Sequence, residues 1–275
     1  RMGEAILAGL LRAGRQVKDL VVAERVPERV EYLSSKYSVR VTSVQNAAEN
    51  AAFVIVAVKP ADTAGIVAEI AQAAVQADND TVEQVLVTVA AGVTINFFES
   101  RLPAGSPVIR AMPNAPALVG GSITALAKGR FATAEQLAEV GSVFECVGSV
   151  ITVPEGQLDA VTAMSGSGPA YFFLFVESLV DAGVANGLSR ATATELAVQT
   201  MAGSAEMLLD RLDAQRQAGG DEALDTTPAR LRAVVTSPGG TTAAGLRELE
   251  RGGLRAAVTA AVDAAKTRSE QLGIT

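Results

Sequence analysis

Apolar residues in the first half of the chain follow two rhythms. Met2, Ile6, Leu7, Leu10 and Leu11 recur at helical spacing, and Gly14 stands where such a helix would stop. Leu20–Ala23, Phe53–Val58, Val85–Val89 and Pro107–Arg110 are instead short continuous apolar runs of strand length. Strands without polar alternation suit a parallel sheet covered on both faces. A polar helical segment follows Pro27, and a second helical pattern runs from Pro60 to about Val75. Strands alternating with helices predict an α/β domain with a doubly wound sheet over residues 1–153.

From Pro154 the strand-like runs vanish, so residues 154–275 are expected to form a helical domain. Pro169–Val184 carries Phe172, Phe173, Leu174, Phe175, Val176, Leu179 and Val180, and is apolar nearly all round. Such a helix is buried, either in a bundle core or against another subunit. Ser189 is placed to cap a helix reaching about Leu212, and Thr227-Pro228 to open another. The last helix is expected from about Leu254 to Leu272. The polar, glycine-bearing stretch Asp213–Thr226 reads as an exposed, mobile connection.

Composition narrows the chemistry. The 275 residues are 49% apolar and 19% charged, with a net charge of −7 and no basic cluster, which argues against a nucleic-acid partner. No apolar run in the sequence approaches the roughly 20 residues that span a bilayer, so no membrane partner is expected. Cys146 is the only cysteine, so no internal disulfide can form, and a reducing cytoplasm is the expected location. There is no histidine at all, which removes the commonest proton shuttle, and no metal is called for.

Two Gly/Ser segments stand out against that background. Ser237-Pro238-Gly239-Gly240-Thr241-Thr242 and Ser165-Gly166-Ser167-Gly168-Pro169-Ala170-Tyr171 each read as a loop opening a helix. Free N–H groups, hydroxyls and the positive end of a helix would favour a carboxylate there. The alternative is a capped helix with a tight turn, Ser237 being the cap. Other candidates lie at strand ends, where open α/β sheets bind ligands. Ala57-Val58-Lys59-Pro60 and Val89-Ala90-Ala91 offer small residues and open backbone. Asn114, in Arg110-Ala111-Met112-Pro113-Asn114, offers an amide for a carboxamide or a substrate polar group, or is part of an ordinary turn. Gly3 precedes the first helix, where a dinucleotide-binding turn would place its last glycine. Glu24 and Arg25 follow the first visible strand and disagree, the one favouring a free ribose hydroxyl and the other a 2′-phosphate.

Taken in order, these segments resemble the pyrroline-5-carboxylate reductase family. The match rests on Val58-Lys59-Pro60, Ala90-Ala91-Gly92-Val93-Thr94, Arg110–Asn114, Leu158-Asp159-Ala160-Val161-Thr162, Ser165–Tyr171, Ser237–Thr242 and Gly252-Gly253. It runs through essentially the whole chain. The resemblance implies a Rossmann-type domain and a helical domain that pairs with its mate in a homodimer, the dimers assembling into larger rings. It implies reduction of 1-pyrroline-5-carboxylate to L-proline with NADPH, or with NADH as the alternative. By position it makes Gly3, Arg25, Ala57, Val58, Lys59, Pro60, Val89, Ala90, Ala91 and Asn114 cofactor-lining. Ser237, Gly240, Thr241, Thr242 and Glu155 fall at the substrate, with Thr242 the residue at the reacting imine.

The residue inventory agrees with that chemistry. A cyclic imine takes a hydride on carbon, and its ring nitrogen can arrive already protonated, so no histidine is needed. Alignment of two bound molecules is then the main task, worth up to roughly 7–11 kcal/mol. One departure is expected to matter. Members of the family have a first strand and a Gly-rich turn ahead of Met2, so this sequence reads as part of a longer protein whose sheet would otherwise have a gap. Two rivals follow. A 3-hydroxyacid-type dehydrogenase would use a lysine in the helical domain, yet no lysine occurs between Pro154 and Ala265. A non-catalytic dinucleotide-binding or oligomerisation module is the other.

Overall fold

The computed structural model describes residues 2–49, 51–76, 84–217 and 227–273. Helix α1 (Met2–Arg12) leads to β1 (Val21–Ala23), α2 (Pro27–Tyr37), β2 (Arg40–Thr42), α3 (Val44–Ala48), β3 (Phe53–Val56) and α4 (Thr63–Gln76). There follow β4 (Val85–Thr88), α5 (Ile95–Glu99), β5 (Val108–Met112), β6 (Ser122–Lys128), α6 (Ala134–Phe144) and β7 (Gly148–Thr152). The remainder is helical: α7 (Leu158–Val161), α8 (Gly168–Ala185), α9 (Arg190–Gln217), α10 (Thr227–Val234), α11 (Thr241–Arg251) and α12 (Leu254–Leu272). Helix α9 therefore runs past the expected end at Leu212, and residues 218–226 of the expected connection lie outside the described residues.

Five strands form one sheet in the order β3-β4-β5-β6-β7, with β5–β6 antiparallel and the other pairs parallel. The continuous apolar runs are buried on both faces, as their composition requires. Val85, Val87, Ile109, Ala111 and Leu126 face α1 and α6, where Ile6, Leu10, Val140 and Phe144 complete one core. Leu86, Val108, Ala125 and Ala127 face the other way, against Val67, Ile70, Phe97, Phe98 and Leu158. Strands β6 and β7, absent from the sequence reading, begin at a close approach. Gly148 has φ 146°, and a Cβ there would overlap the Ser122 carbonyl oxygen.

β1 and β2 form a separate parallel pair. Among the described residues neither is hydrogen-bonded to the five-stranded sheet. Helix α1 bridges the two, its Leu7 packing with Leu33 and Val39. The Glu4 carboxylate ties α1 to α2. Oε2 accepts from Arg29 at 2.9 Å, and Oε1 accepts from the Tyr32 and Tyr37 hydroxyls at 2.9 and 3.0 Å and from Lys36 at 3.3 Å. Burial alone would raise the Glu4 pKa, but these donors together lower it from 4.5 to about 2.

The chain packs as two compact units, Arg1–Pro169 with Val262–Thr275, and Ala170–Ala261. This differs from a division at 153/154. The first unit keeps the segment up to Pro169, and the end of α12 belongs to it: Ser269 Oγ donates to Asp159 Oδ1 at 2.6 Å. The second unit has a small core of Val180, Ala193 and Ala197 with Val176 against it. Its longest apolar helix is open, with Phe172, Phe173 and Leu174 each more than 60% exposed. That helix is therefore not buried within its own chain, and so much exposed apolar surface marks an interface. Among the described residues, Glu155–Ala185 is a helical stretch long and apolar enough to cross a membrane by length and composition.

Candidate active site

The carboxyl ends of the parallel strands gather most of the expected cofactor residues in the first unit. Val89 N–H donates to Val56 O at 3.1 Å, which sets the end of β4 beside the end of β3. Ala57, Lys59 and Ala91 are exposed there, and Val58, Pro60 and Val89 half-buried. Ala90 differs: its side chain is 3% exposed and belongs to the core, so only its backbone can serve a ligand. Gly3, in the first turn of α1, abuts the same edge. A Cβ on Gly3 would lie 3.1 Å from the Ala57 Cβ, so the glycine lets the helix start approach the strand end.

Arg25 and Glu24 lie in the turn after β1, and the structure separates their roles. Glu24 Oε1 accepts from the N–H groups of Arg25 and Val26, at 2.8 and 3.1 Å, and so fixes the turn. The Arg25 guanidinium, 65% exposed, reaches across to the Glu69 carboxylate on α4.

The Asn114 side chain is engaged within the fold. It is 8% exposed, and its amide is spent inside the fold. Oδ1 accepts from Ser122 Oγ at 3.0 Å and from Ile123 N–H at 3.1 Å, while Nδ2 donates to Ser165 O at 3.1 Å. The Asn114 side chain thus clamps β6 to the helical segment.

The Ser165–Tyr171 loop is corrected. Thr162–Gly166 forms a π-helical turn between α7 and α8, and Ser167 N–H returns to Thr162 O at 2.9 Å. Ser165 Oγ also turns inward, donating to Val161 O at 3.0 Å. A Cβ on Gly166 would sit 3.0 Å from Met112 Cε, so the glycine admits the end of β5.

Glu155 is the residue that ties α5, β5 and the turn after β7 together. Its Oε1 accepts from Ile95 N–H at 2.6 Å and from Arg110, itself 5% exposed, at 3.2 Å. Oε2 has no such partner among the described residues and is the oxygen left for a ligand. Glu155 also lines a polar cleft of about 340 Å³ with Ile95, Asn96, Glu99 and Arg130. No other expected site residue reaches that cleft.

In the second unit the segment before α11 is built as an open helix start. Gly239 takes φ 71°, and Gly240 N–H closes the turn onto Ser237 O at 3.0 Å. Gly240, not Ser237, is the N-cap, and it has no side chain to accept from the first turn. Gly240 thus supplies shape and not a donor. The N–H groups of Thr241 and Thr242 begin the helix, where no helical carbonyl can reach them. The side chains of Ser237, Thr241 and Thr242 are exposed.

A Rossmann-type sheet open at its strand ends, followed by a second, helical unit, is the architecture of a dinucleotide-dependent oxidoreductase. Comparison with known proteins is specific. Residues 155–272 match the family model described as pyrroline-5-carboxylate reductase dimerisation, and residues 1–92 match one described as NADP oxidoreductase, coenzyme F420-dependent. The chain is 67% identical to the pyrroline-5-carboxylate reductase of Mycobacterium tuberculosis (strain H37Rv), over 100% of this chain and 94% of that one. A pyrroline-5-carboxylate reductase structure from Coxiella burnetii superposes with a TM-score of 0.87 at 32% identity, covering 100% and 96% of the two chains. The Plasmodium falciparum pyrroline carboxylate reductase with NADP bound gives 0.80 at 28% identity, covering 99% and 95%. The chain belongs to the pyrroline-5-carboxylate reductase family. Its open apolar helix α8 lies within the region matched by the dimerisation model.

Proposed function

We propose that this chain is an NADPH-dependent reductase that converts 1-pyrroline-5-carboxylate to L-proline, the last step of proline biosynthesis. The observation that carries the substrate reading is the uncapped start of α11, with Thr241 and Thr242 N–H groups and three exposed hydroxyls beside it. A carboxylate there accepts from donors that otherwise face water, at the positive end of the helix. The Ser237 hydroxyl completes the grip. The Thr242 hydroxyl meets the ring nitrogen and holds the protonated imine in one orientation.

The residues at the strand ends fit a dinucleotide. Gly3 leaves room where a Cβ would crowd Ala57, and the backbone of Ala57–Pro60 and Val89–Ala91 is the lining. Arg25 is the contact for the 2′-phosphate, which favours NADPH over NADH. Bound NADPH supplies the hydride for the imine carbon. No side chain has to shuttle a proton in that step, consistent with a sequence that has no histidine.

The dehydrogenase alternative is disfavoured by the lack of lysine between Pro154 and Ala265, and the non-catalytic one by the similarity to reductases over the full chain. We read the assembly as a ring of dimers and the location as cytoplasmic, without nucleic-acid or membrane partners. A native mass above that of a dimer supports the ring, and a mass equal to a dimer refutes it. The activity is tested by following NADPH oxidation with pyrroline-5-carboxylate and identifying proline as product. NADPH oxidation only with a 3-hydroxyacid's oxidised partner, or none with any imine, refutes it.

A further inference from the structure

The guanidinium proposed to read the 2′-phosphate of NADPH is already engaged. Arg25 is hydrogen-bonded and ion-paired to Glu69, a residue of α4 remote from it in sequence. Both side chains are at the surface, 65% and 38% exposed, so the pair can open without unfolding anything. Asp62, in the turn that leads into α4, adds a further negative charge to the field at Arg25. Glu24, next in sequence, makes no ion pair with the guanidinium among the described residues; its Oε1 accepts from the Arg25 and Val26 N–H groups.

A ribose 2′-phosphate carries between one and two negative charges at neutral pH, like other phosphate monoesters. To meet it, Arg25 must leave Glu69 or share itself between two anions. Whatever the pair contributes in the free protein is subtracted from the binding of NADPH. NADH has no phosphate at this position, so it neither needs Arg25 nor disturbs the pair.

We propose that Glu69 is a cofactor-selectivity residue, one that acts through Arg25 and moderates the preference for NADPH over NADH. The proposal rests on the reading of Arg25 as the 2′-phosphate contact. Glu69 itself touches neither the nicotinamide nor the substrate in this account. Its effect is therefore on cofactor affinity and not on the chemical step.

The test is a titration of NADPH and of NADH, followed by cofactor fluorescence, into the wild-type chain and the Glu69→Gln, Arg25→Ala and double variants. An exposed ion pair of this kind corresponds to about a 1.5- to fivefold change in an equilibrium constant. Glu69→Gln is accordingly expected to tighten NADPH about two- to fivefold and leave NADH unchanged, and the gain should shrink as salt is raised. In the Arg25→Ala background most of that gain should disappear. If Arg25→Ala weakens NADPH alone while Glu69→Gln leaves NADPH unchanged, or shifts both cofactors equally, the role of Glu69 is overturned and that of Arg25 stands. If Arg25→Ala weakens neither cofactor selectively, the reading of Arg25 fails and the inference falls with it.

Discussion

The side-chain amide of Asn114 donates to the carbonyl oxygen of Ser165 at 3.1 Å, where the following helix cannot. Pro169 stands four residues after Ser165 and has no N–H to give it. The proline withholds the usual donor from that carbonyl, and the asparagine supplies one.

Replacing Asn114 with alanine therefore removes one donor and leaves two others, from Ser122 and Ile123, without their acceptor. Each buried group left unpaired costs about 1–3 kcal/mol. Asn114→Ala should lower stability in urea unfolding by at least one such increment. Pro169→Ala restores an N–H for Ser165, so the cost of Asn114→Ala should be smaller in that background. Strict additivity of the two would show that the amide and the proline do not act on the same carbonyl.

A second expectation concerns Arg110 and Glu155. Arg110 is 5% exposed, and its ion pair with Glu155 Oε1 is at 3.2 Å. Glu155→Gln keeps an acceptor for Ile95 N–H but leaves a buried guanidinium without its counter-charge. Because the Glu155 side chain is one-third exposed, a loss of about 1–3 kcal/mol is expected instead of the larger figure for a fully buried pair. Thermal melts of Glu155→Gln and of the Glu155→Gln/Arg110→Met pair check this: the second substitution should recover part of the loss.

Glu4 gives the fold a pH dependence with a definite sign. Its folded pKa of about 2 lies below the ordinary 4.5, so the folded state holds the charged form more strongly. That contribution is complete above about pH 4.5 and is lost as pH falls towards 2. Glu4→Gln should be less stable than wild type by a constant amount above pH 5. The two should converge as denaturation is measured at successively lower pH. A constant difference down to pH 2 would contradict the assignment.

Helix α8 is expected to be the seam between subunits. Phe173 is 66% exposed in the single chain, so Phe173→Glu should hardly disturb the folding of one subunit. In the assembly it places a charge in an apolar contact. The native mass should fall to that of the monomer or a loosened dimer, while the far-UV circular dichroism of α8 and its neighbours persists. An unchanged mass would move the interface elsewhere.

The elements governed by short-range pattern were legible in the sequence. Phe53–Val56, Val85–Thr88 and Val108–Met112 are strands because unbroken apolar runs need cover on both faces. Strands β6 and β7 were not legible. Ser122–Lys128 is built largely of small and polar residues, and what holds it is Gly148 and the antiparallel pairing to β5. The Ser165–Pro169 segment looked like a loop because its residues favour loops, whereas its helical course depends on Asn114, far away in sequence. The Ser237–Thr242 residues were readable as the start of a helix, although the capping position fell to Gly240 and not Ser237. Neither the spent amide of Asn114 nor the engagement of Arg25 by Glu69 leaves a local signature, since both are long-range pairings.

In the proposed site the start of α11 holds the carboxylate and the Thr242 hydroxyl meets the imine nitrogen. Steady-state NADPH oxidation by wild type, Thr242→Ser and Thr242→Ala, with pyrroline-5-carboxylate varied, tests it most directly. A hydrogen bond to a charged group contributes about 1.5–3 kcal/mol. Thr242→Ala should therefore lower kcat/KM by roughly 10- to 150-fold, and Thr242→Ser should recover most of the loss. Wild-type kcat/KM in Thr242→Ala would contradict it.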